Sequence, residues 1–189
     1  SHGNGRHGIF VLKTTNSRLT RNHAYRNDNP DVARGGQTGI KVGESPGPIS
    51  VTNVTVEYNV AHDNEDTGIE LAWASDILVR GNVSYRNGDH GYDNSATINT
   101  MHLGNIAARN DHDGISIEAT ARNATVFNNI FVTNGVQAGT LQTPGGVREM
   151  FVDSTLGFQS DYNVLVGLPP YGNVGAGYSE NYRRLVELR

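Results

Sequence analysis

The chain has 189 residues, enough for one domain with a substantial core and too few for two. A net charge of −4 without any basic run removes the electrostatic case for nucleic acid, and the absence of cysteine excludes disulfides and thiolate metal sites. No apolar run approaches the ~20 residues of a membrane span, and 23 glycines among frequent asparagines point to a protein of many turns rather than helices.

In chain order, the opening "SHGNGRHGIF" already reads as the middle of a repeat, so the chain is expected to be a mature or trimmed piece. Ile9 and Val11 follow Gly8 with a period of two, the mark of a short strand. Asn22 and Asn27 come next, then an insertion over 28–38, then Ile40 and Val42. From there the unit is regular. "NVAHDNEDTGIEL" (59–71), "NVSYRNGDHGYDN" (82–94) and "NIAARNDHDGISI" (105–117) align without gaps. Asparagine recurs at 59, 82 and 105 and again at 64, 87 and 110, and glycine at 68, 91 and 114. Apolar pairs follow each glycine (Ile69/Leu71, Ile115/Ile117) and precede each first asparagine (Val54/Val56, Ile77/Val79, Ala124/Val126). Asn129 and Asn134 carry the pattern forward with one extra residue.

A unit of 23 residues with two or three short strands and tight corners cannot bury its own apolar side chains, so its copies must stack. The expected fold is all-β: a parallel β-helix (a solenoid) of about six coils, regular over 5–135. An antiparallel sandwich would not hold one residue type at one phase in consecutive units. The segment 136–189 is expected to form an irregular last coil and a C-terminal cap, with a short helix over 179–188 behind Ser179.

Phase also predicts what stacks outside. Two residues after the repeat glycine stand Phe10, Lys41, Glu70, Asp93 and Ser116; two before it, Arg6, Gln37, Asp66, Asp89 and His112; one before it, His7, Thr38, Thr67, His90 and Asp113. Asp66, Glu70, Asp89 and Asp93 therefore crowd one corner of two adjacent coils, and stacked like charges are costly unless a cation joins them. An all-oxygen set suits calcium. Lys41, one coil from Glu70, is placed to pair with it or to serve as a base; His90 and His112, beside Asp113, are candidates for proton transfer or for a transition metal. Arg86 and Arg109 share one phase, and Tyr85 stands beside the first; guanidinium and ring suit a uronic acid's carboxylate and sugar face. His102 takes the phase of Val56 and Val79 and is expected inside. The sequons at Asn53, Asn82 and Asn123 fit the glycosylation pattern, with Asn82 better explained by the repeat, and Trp73 is a possible sugar platform.

With these motifs in hand, the chain resembles the right-handed parallel β-helix proteins of the pectate-lyase-like superfamily over roughly residues 5–135. "NGDHGYDN" is similar to the calcium loop of family-nine pectate lyases, which implies calcium on Asp89, Asp93 and an acidic residue one coil earlier, Asp66 or Glu65. The lysine base of that family falls where this chain has Ser116, while Lys41 keeps the phase in an earlier coil. "GNGRHGIFV" and "NVAHDN" resemble repeats of the alginate C-5 epimerases, which implies a catalytic part for Arg6 and His7; the aspartate-proline-histidine motif of that branch is not found in "ESPGPISV".

The expectation is a secreted or cell-surface protein of bacterial type, a monomer whose partner is an acidic polysaccharide rather than nucleic acid or membrane. Its favoured activity is that of a polysaccharide lyase. Calcium on Asp66, Glu70, Asp89 and Asp93 assists abstraction of the uronate C5 proton by Lys41, His90 or His112, with Arg86, Arg109, Tyr85 and Asp113 binding substrate. The alternatives are a non-catalytic carbohydrate-binding or scaffold module and an incomplete epimerase-like domain.

Overall fold

The computed structural model describes residues 1–29, 36–44, 46–135 and 148–167, together with the backbone of 174–176. Among them, nineteen short strands form three sheets, and no strand pairs with its neighbour in the chain. The first sheet runs β1 (Ile9–Val11), β4 (Ile40–Val42), β7 (Ile69–Ala72), β10 (Tyr92–Ser95), β13 (Ile115–Glu118), β16 (Met150–Val152) and β19 (Val174–Ala176). The second holds β2 (Thr15–Thr20), β5 (Val51–Glu57), β8 (Ala74–Arg80), β11 (Ile98–Leu103), β14 (Thr125–Phe127) and β17 (Gln159–Asp161). The third holds β3 (His23–Tyr25), β6 (Val60–His62), β9 (Val83–Tyr85), β12 (Ile106–Ala108), β15 (Ile130–Val132) and β18 (Val164–Val166). Every pairing is parallel and each coil gives one strand to each sheet, which makes a parallel β-helix of about six coils.

The alternation in the sequence is the alternation of inside and outside. Ile40, Val42, Ile69, Leu71, Ile115 and Ile117 of the first sheet meet Val54, Val56, Ile77, Val79 and Val126 of the second in one buried core. Small residues line the third sheet (Ala24, Ala61, Ser84 and Ala107), with Phe131 filling a later coil. His102 lies in this core, between Val79 and Val126 in register, as its phase predicts.

Two ladders of asparagine amides tie the coils together. Asn59 donates Nδ2–H to Asn82 Oδ1 (3.0 Å), Asn82 to Asn105 (3.0 Å) and Asn105 to Asn129 (3.0 Å), while the backbone N–H of each donor shares the same acceptor. The second ladder runs Asn27, Asn64, Asn87, Asn110, Asn134, each amide 2.8–2.9 Å from the next. The residue ahead of each rung turns the corner in the left-handed region: Tyr58, Gly81, Gly104 and Asn128 in one ladder, Asp63, Arg86, Arg109 and Thr133 in the other, with φ of 51–63°. That conformation costs roughly 1–2 kcal/mol for a residue with a Cβ, and the buried amide bonds, each worth about 1 kcal/mol net, offset it.

The repeat glycine has a different reason. A Cβ at Gly91 would lie 2.7 Å from both Asn110 Nδ2 and the carbonyl oxygen of Gly114, so only a hydrogen fits between the coils.

Beyond residue 135 the chain is more regular than its spacing suggests. Met150 and Val152 pair with Ile115 and Ile117, and Asn163 accepts from Asn129 as the next rung. The segment 136–147 separates these strands from the preceding coil and hides their phase from any fixed period; it lies outside the described residues, as does the helix expected over 179–188. Glu149 stands where earlier coils have glycine, and its carboxylate accepts from the backbone and side chain of Asn134, ending the second ladder. Burial pushes that carboxyl up to about 7.

Candidate functional site

The first sheet and the corner that precedes each of its strands carry most of the chemistry. The register stacks Phe10, Lys41, Glu70, Asp93, Ser116 and Phe151 in one line along the outside of the sheet. Beside it runs the corner line, with Asp66 in one coil, Asp89 and His90 in the next, and His112 and Asp113 in the third. The backbone N–H of His112 donates to Asp89 O (3.1 Å), which holds these corners in step.

Within this region the charges sort themselves. Lys41 Nζ is 2.6 Å from Glu70 Oε1, and Thr38 donates to the other oxygen at 3.0 Å. Asp66 accepts from the backbone N–H of Gly36 (2.8 Å). Asp113 is fully buried; Arg148 Nε donates to its Oδ1 (3.2 Å), while His112 Nδ1 and His90 Nδ1 face its Oδ2 at 3.3 and 3.5 Å. Arg148 itself packs over the Phe151 ring at 3.8 Å. Glu118 accepts from Ser116 (3.0 Å).

Asp89 sits between the two imidazoles. His90 Nε2 is 3.5 Å and His112 Nδ1 3.9 Å from its Oδ1, and the rings meet edge-on at 5.0 Å. Among the described residues, Asp89, His90 and His112 are the set of His, Asp and Glu side chains whose ligating atoms all lie within 4.8 Å of one another. Asp93 Oδ1 is buried and has no hydrogen-bond partner within the protein.

Burial sets the protonation states. It drives the Asp89 carboxyl up to about 7, helped by the negative charge of Asp66. Asp93 is raised well above the usual carboxylate range by burial and then by Glu118 and Glu70, and Glu118 is raised chiefly by burial. Burial lowers His90 to about 4, so its ring is neutral at pH 7. His112 is raised instead, because its hydrogen bond to Asp113 outweighs its own burial.

The expected site residues therefore divide into three groups. Asp89, His90, His112 and Asp113 come together, with Asp113 as the buried anchor of both imidazoles rather than a surface contact. Lys41, Glu70, Asp66 and Asp93 line the adjoining sheet, but Lys41 is bound to Glu70. Tyr85, Arg86 and Arg109 are elsewhere. Tyr85 stacks on His62 in the third sheet (4.6 Å), Arg86 grips Asp63 with two bonds of 2.8 and 2.7 Å, and Arg109 is an exposed corner residue. Arg148, Glu118 and Thr38 were not anticipated. Thr38 was visible only as a phase partner of His90, and Arg148 takes the position of Asp113 one coil on, behind the segment that breaks the period.

Fold and site together define a class of protein. The chain belongs to the right-handed β-helix family, whose model, described as the right handed beta helix region, matches residues 1–148. Among solved structures it is similar to the periplasmic alginate epimerase AlgG, with a TM-score of 0.64 at 19% identity over 86% of this chain and 36% of that one. A double mutant of that epimerase gives 0.65 at 18% identity over the same shares. At this identity the likeness is one of fold, and the chain spans about a third of the epimerase's length. No curated protein matches the sequence.

Proposed function

We propose that the protein acts on an acidic polysaccharide laid along the outside of the first sheet, removing the C5 proton of a uronic acid residue at Asp89. The observation that carries this reading is the juxtaposition of Asp89, poised near neutrality, with His112, whose protonated form Asp113 stabilises. A group is most effective in proton transfer when its pKa lies near the working pH. The architecture shared with an alginate epimerase supports the substrate class, and a polymeric substrate suits a protein working outside the cytoplasm.

In this reading Asp89 takes the C5 proton and the electron pair passes into the uronate carboxyl group. Collapse to a C4–C5 double bond then breaks the C4–O4 bond, and the His112 imidazolium protonates the departing oxygen. Asp93, kept protonated by its burial and by Glu118 and Glu70, donates a hydrogen bond to the uronate carboxylate and makes C5 more acidic. His90 and Asp113 position the other two groups. Lys41 holds Glu70 and is not the base. Elimination is favoured over epimerisation because acid and base stand side by side, 3.9 Å apart, on one side of the sugar; inversion needs a proton from the opposite face.

Calcium has no step in this reading. Its six to eight oxygen ligands are hard to assemble here, since Glu70 is paired with Lys41, Asp66 accepts from the backbone N–H of Gly36, and the side chains grouped with Asp89 are imidazoles.

The test is incubation with polygalacturonate, alginate and related polyuronates, read at the ultraviolet band of unsaturated uronates. The band should grow with wild-type protein without added calcium and not with Asp89→Asn. Deuterium entering C5 from solvent without the band would replace elimination by epimerisation. Binding without either product would make the protein a carbohydrate-binding module.

A further inference from the structure

We infer that Asp89, His90 and His112 form a binding site for one divalent transition metal of the zinc class. Zinc bonds to nitrogen and oxygen at about 2.0–2.2 Å, so tetrahedral ligand atoms stand roughly 3.2–3.5 Å apart. His90 Nε2 and Asp89 Oδ1 are already 3.5 Å apart, His112 Nδ1 and Asp89 Oδ1 3.9 Å, and the three ligating atoms lie within 4.8 Å of one another, so a rotation of the His112 ring that exchanges its Asp113 contact (3.3 Å) for the metal closes the set. Two imidazoles with one carboxylate are a donor set for zinc, cobalt or nickel, and a poor one for calcium.

The surroundings are those of a built site rather than a chance meeting of surface groups. His90 is buried; its Nδ1 accepts from the backbone N–H of Asp113 (3.4 Å) and lies 3.5 Å from the Asp113 carboxylate. A metal on Nε2 selects the tautomer with the proton on Nδ1, which exchanges the bond from the Asp113 backbone N–H for one to the Asp113 carboxylate, the usual outer partner of a metal-bound histidine. Arg148 fixes Asp113 from its other oxygen. Asp89 is more than a third exposed, which leaves one coordination position open to water or ligand.

One consequence rests on the reaction proposed above. A bound metal takes the Asp89 lone pair that would accept the C5 proton and keeps His112 from its protonated form, so metal and turnover compete for the same groups.

The experiment is a cobalt(II) titration of untagged protein stripped with a chelator, followed by its visible absorption and by calorimetry. One equivalent should bind with the intense bands of a four- or five-coordinate site, and excess calcium should not displace it. His112→Gln and Asp89→Asn should each weaken binding more than tenfold, and Asp113→Asn at least tenfold through loss of the outer partner, all with unchanged far-ultraviolet circular dichroism. His23→Gln should leave it intact; His23 pairs with His62 on the third sheet, Nε2 to Nε2 at 2.6 Å, and is the competing metal sink. Absence of the bands, or their loss with His23 rather than His112, would overturn the inference. Polyuronate assays on the metal-free protein report on the reaction separately, so failure there leaves the metal site standing.

Discussion

At the scale of single residues, Asp89 is a corner carboxylate whose surroundings, rather than its place in the repeat, set its protonation. It follows Asn87 and Gly88 at a corner where the repeat asks nothing of its side chain, yet burial and Asp66 bring its carboxyl to about 7. The pH dependence follows with a definite sign. The base form of Asp89 appears as pH rises through about 7, while the acid form of His112 is lost as pH rises past its elevated value, so kcat/KM should trace a bell. His112→Gln should lower kcat by about 10²–10⁴-fold, the usual worth of general acid catalysis, and remove the alkaline limb while keeping the acid one. An unchanged alkaline limb in that variant would dismiss His112 as the acid. Asp89, His90 and His112 could be picked out in the sequence because they are what the repeat does not require. For Lys41 the phase offered two parts, a pair with Glu70 or a base; phase tells which face a side chain takes and not which use it has, and the 2.6 Å contact with Glu70 gives the first.

At the scale of the strand, the period of two located the core positions of the first two sheets, and His102 shows the alternation outranking polarity. Its place in β11 is a valine place, between Val79 and Val126, and neither ring nitrogen has a partner within the protein. Burial lowers its pKa to about 3. As pH falls from 6.5 toward 3, the unfolded chain takes up a proton that the folded ring refuses, so stability drops by about 1.4 kcal/mol per pH unit from this residue. His102→Val should therefore flatten the pH dependence of unfolding in urea by roughly that slope between pH 6 and 4, whatever the cost of the smaller side chain at neutral pH. Equal slopes in the two proteins would show that the ring is hydrated or bonded in solution.

At the scale of the molecule, the fold was legible because stacking turns one local pattern into a rule that every coil repeats. The 23-residue step of the asparagine rungs is the clearest sign of it. Where the step changes to 34 between Asn129 and Asn163, the last turn of the solenoid became unreadable although its strands pair in the same register. Nearest-neighbour stacking makes a further prediction. Deleting residues 82–104 joins Gly81 to Asn105 in phase and should leave a cooperatively melting β-helix with a lower midpoint, whereas deleting 82–91 takes β9 and both asparagine rungs from one coil while leaving β10, so that coil gives no strand to the third sheet, and should yield no cooperative melt. Matching melts for the two deletions would refute the ladder as the source of register.

The site needs three successive coils in that register, because Asp66, Asp89 and His112 each come from a different one. Its central claim, proton abstraction by Asp89 from a uronate laid across them, is tested most directly by the unsaturated-uronate absorbance of wild-type and Asp89→Asn protein on a panel of polyuronates at pH 7 to 8. Growth of the band with wild type, and a loss of at least a hundredfold with a folded Asp89→Asn, is the expected result. A folded variant as active as the wild type would contradict it.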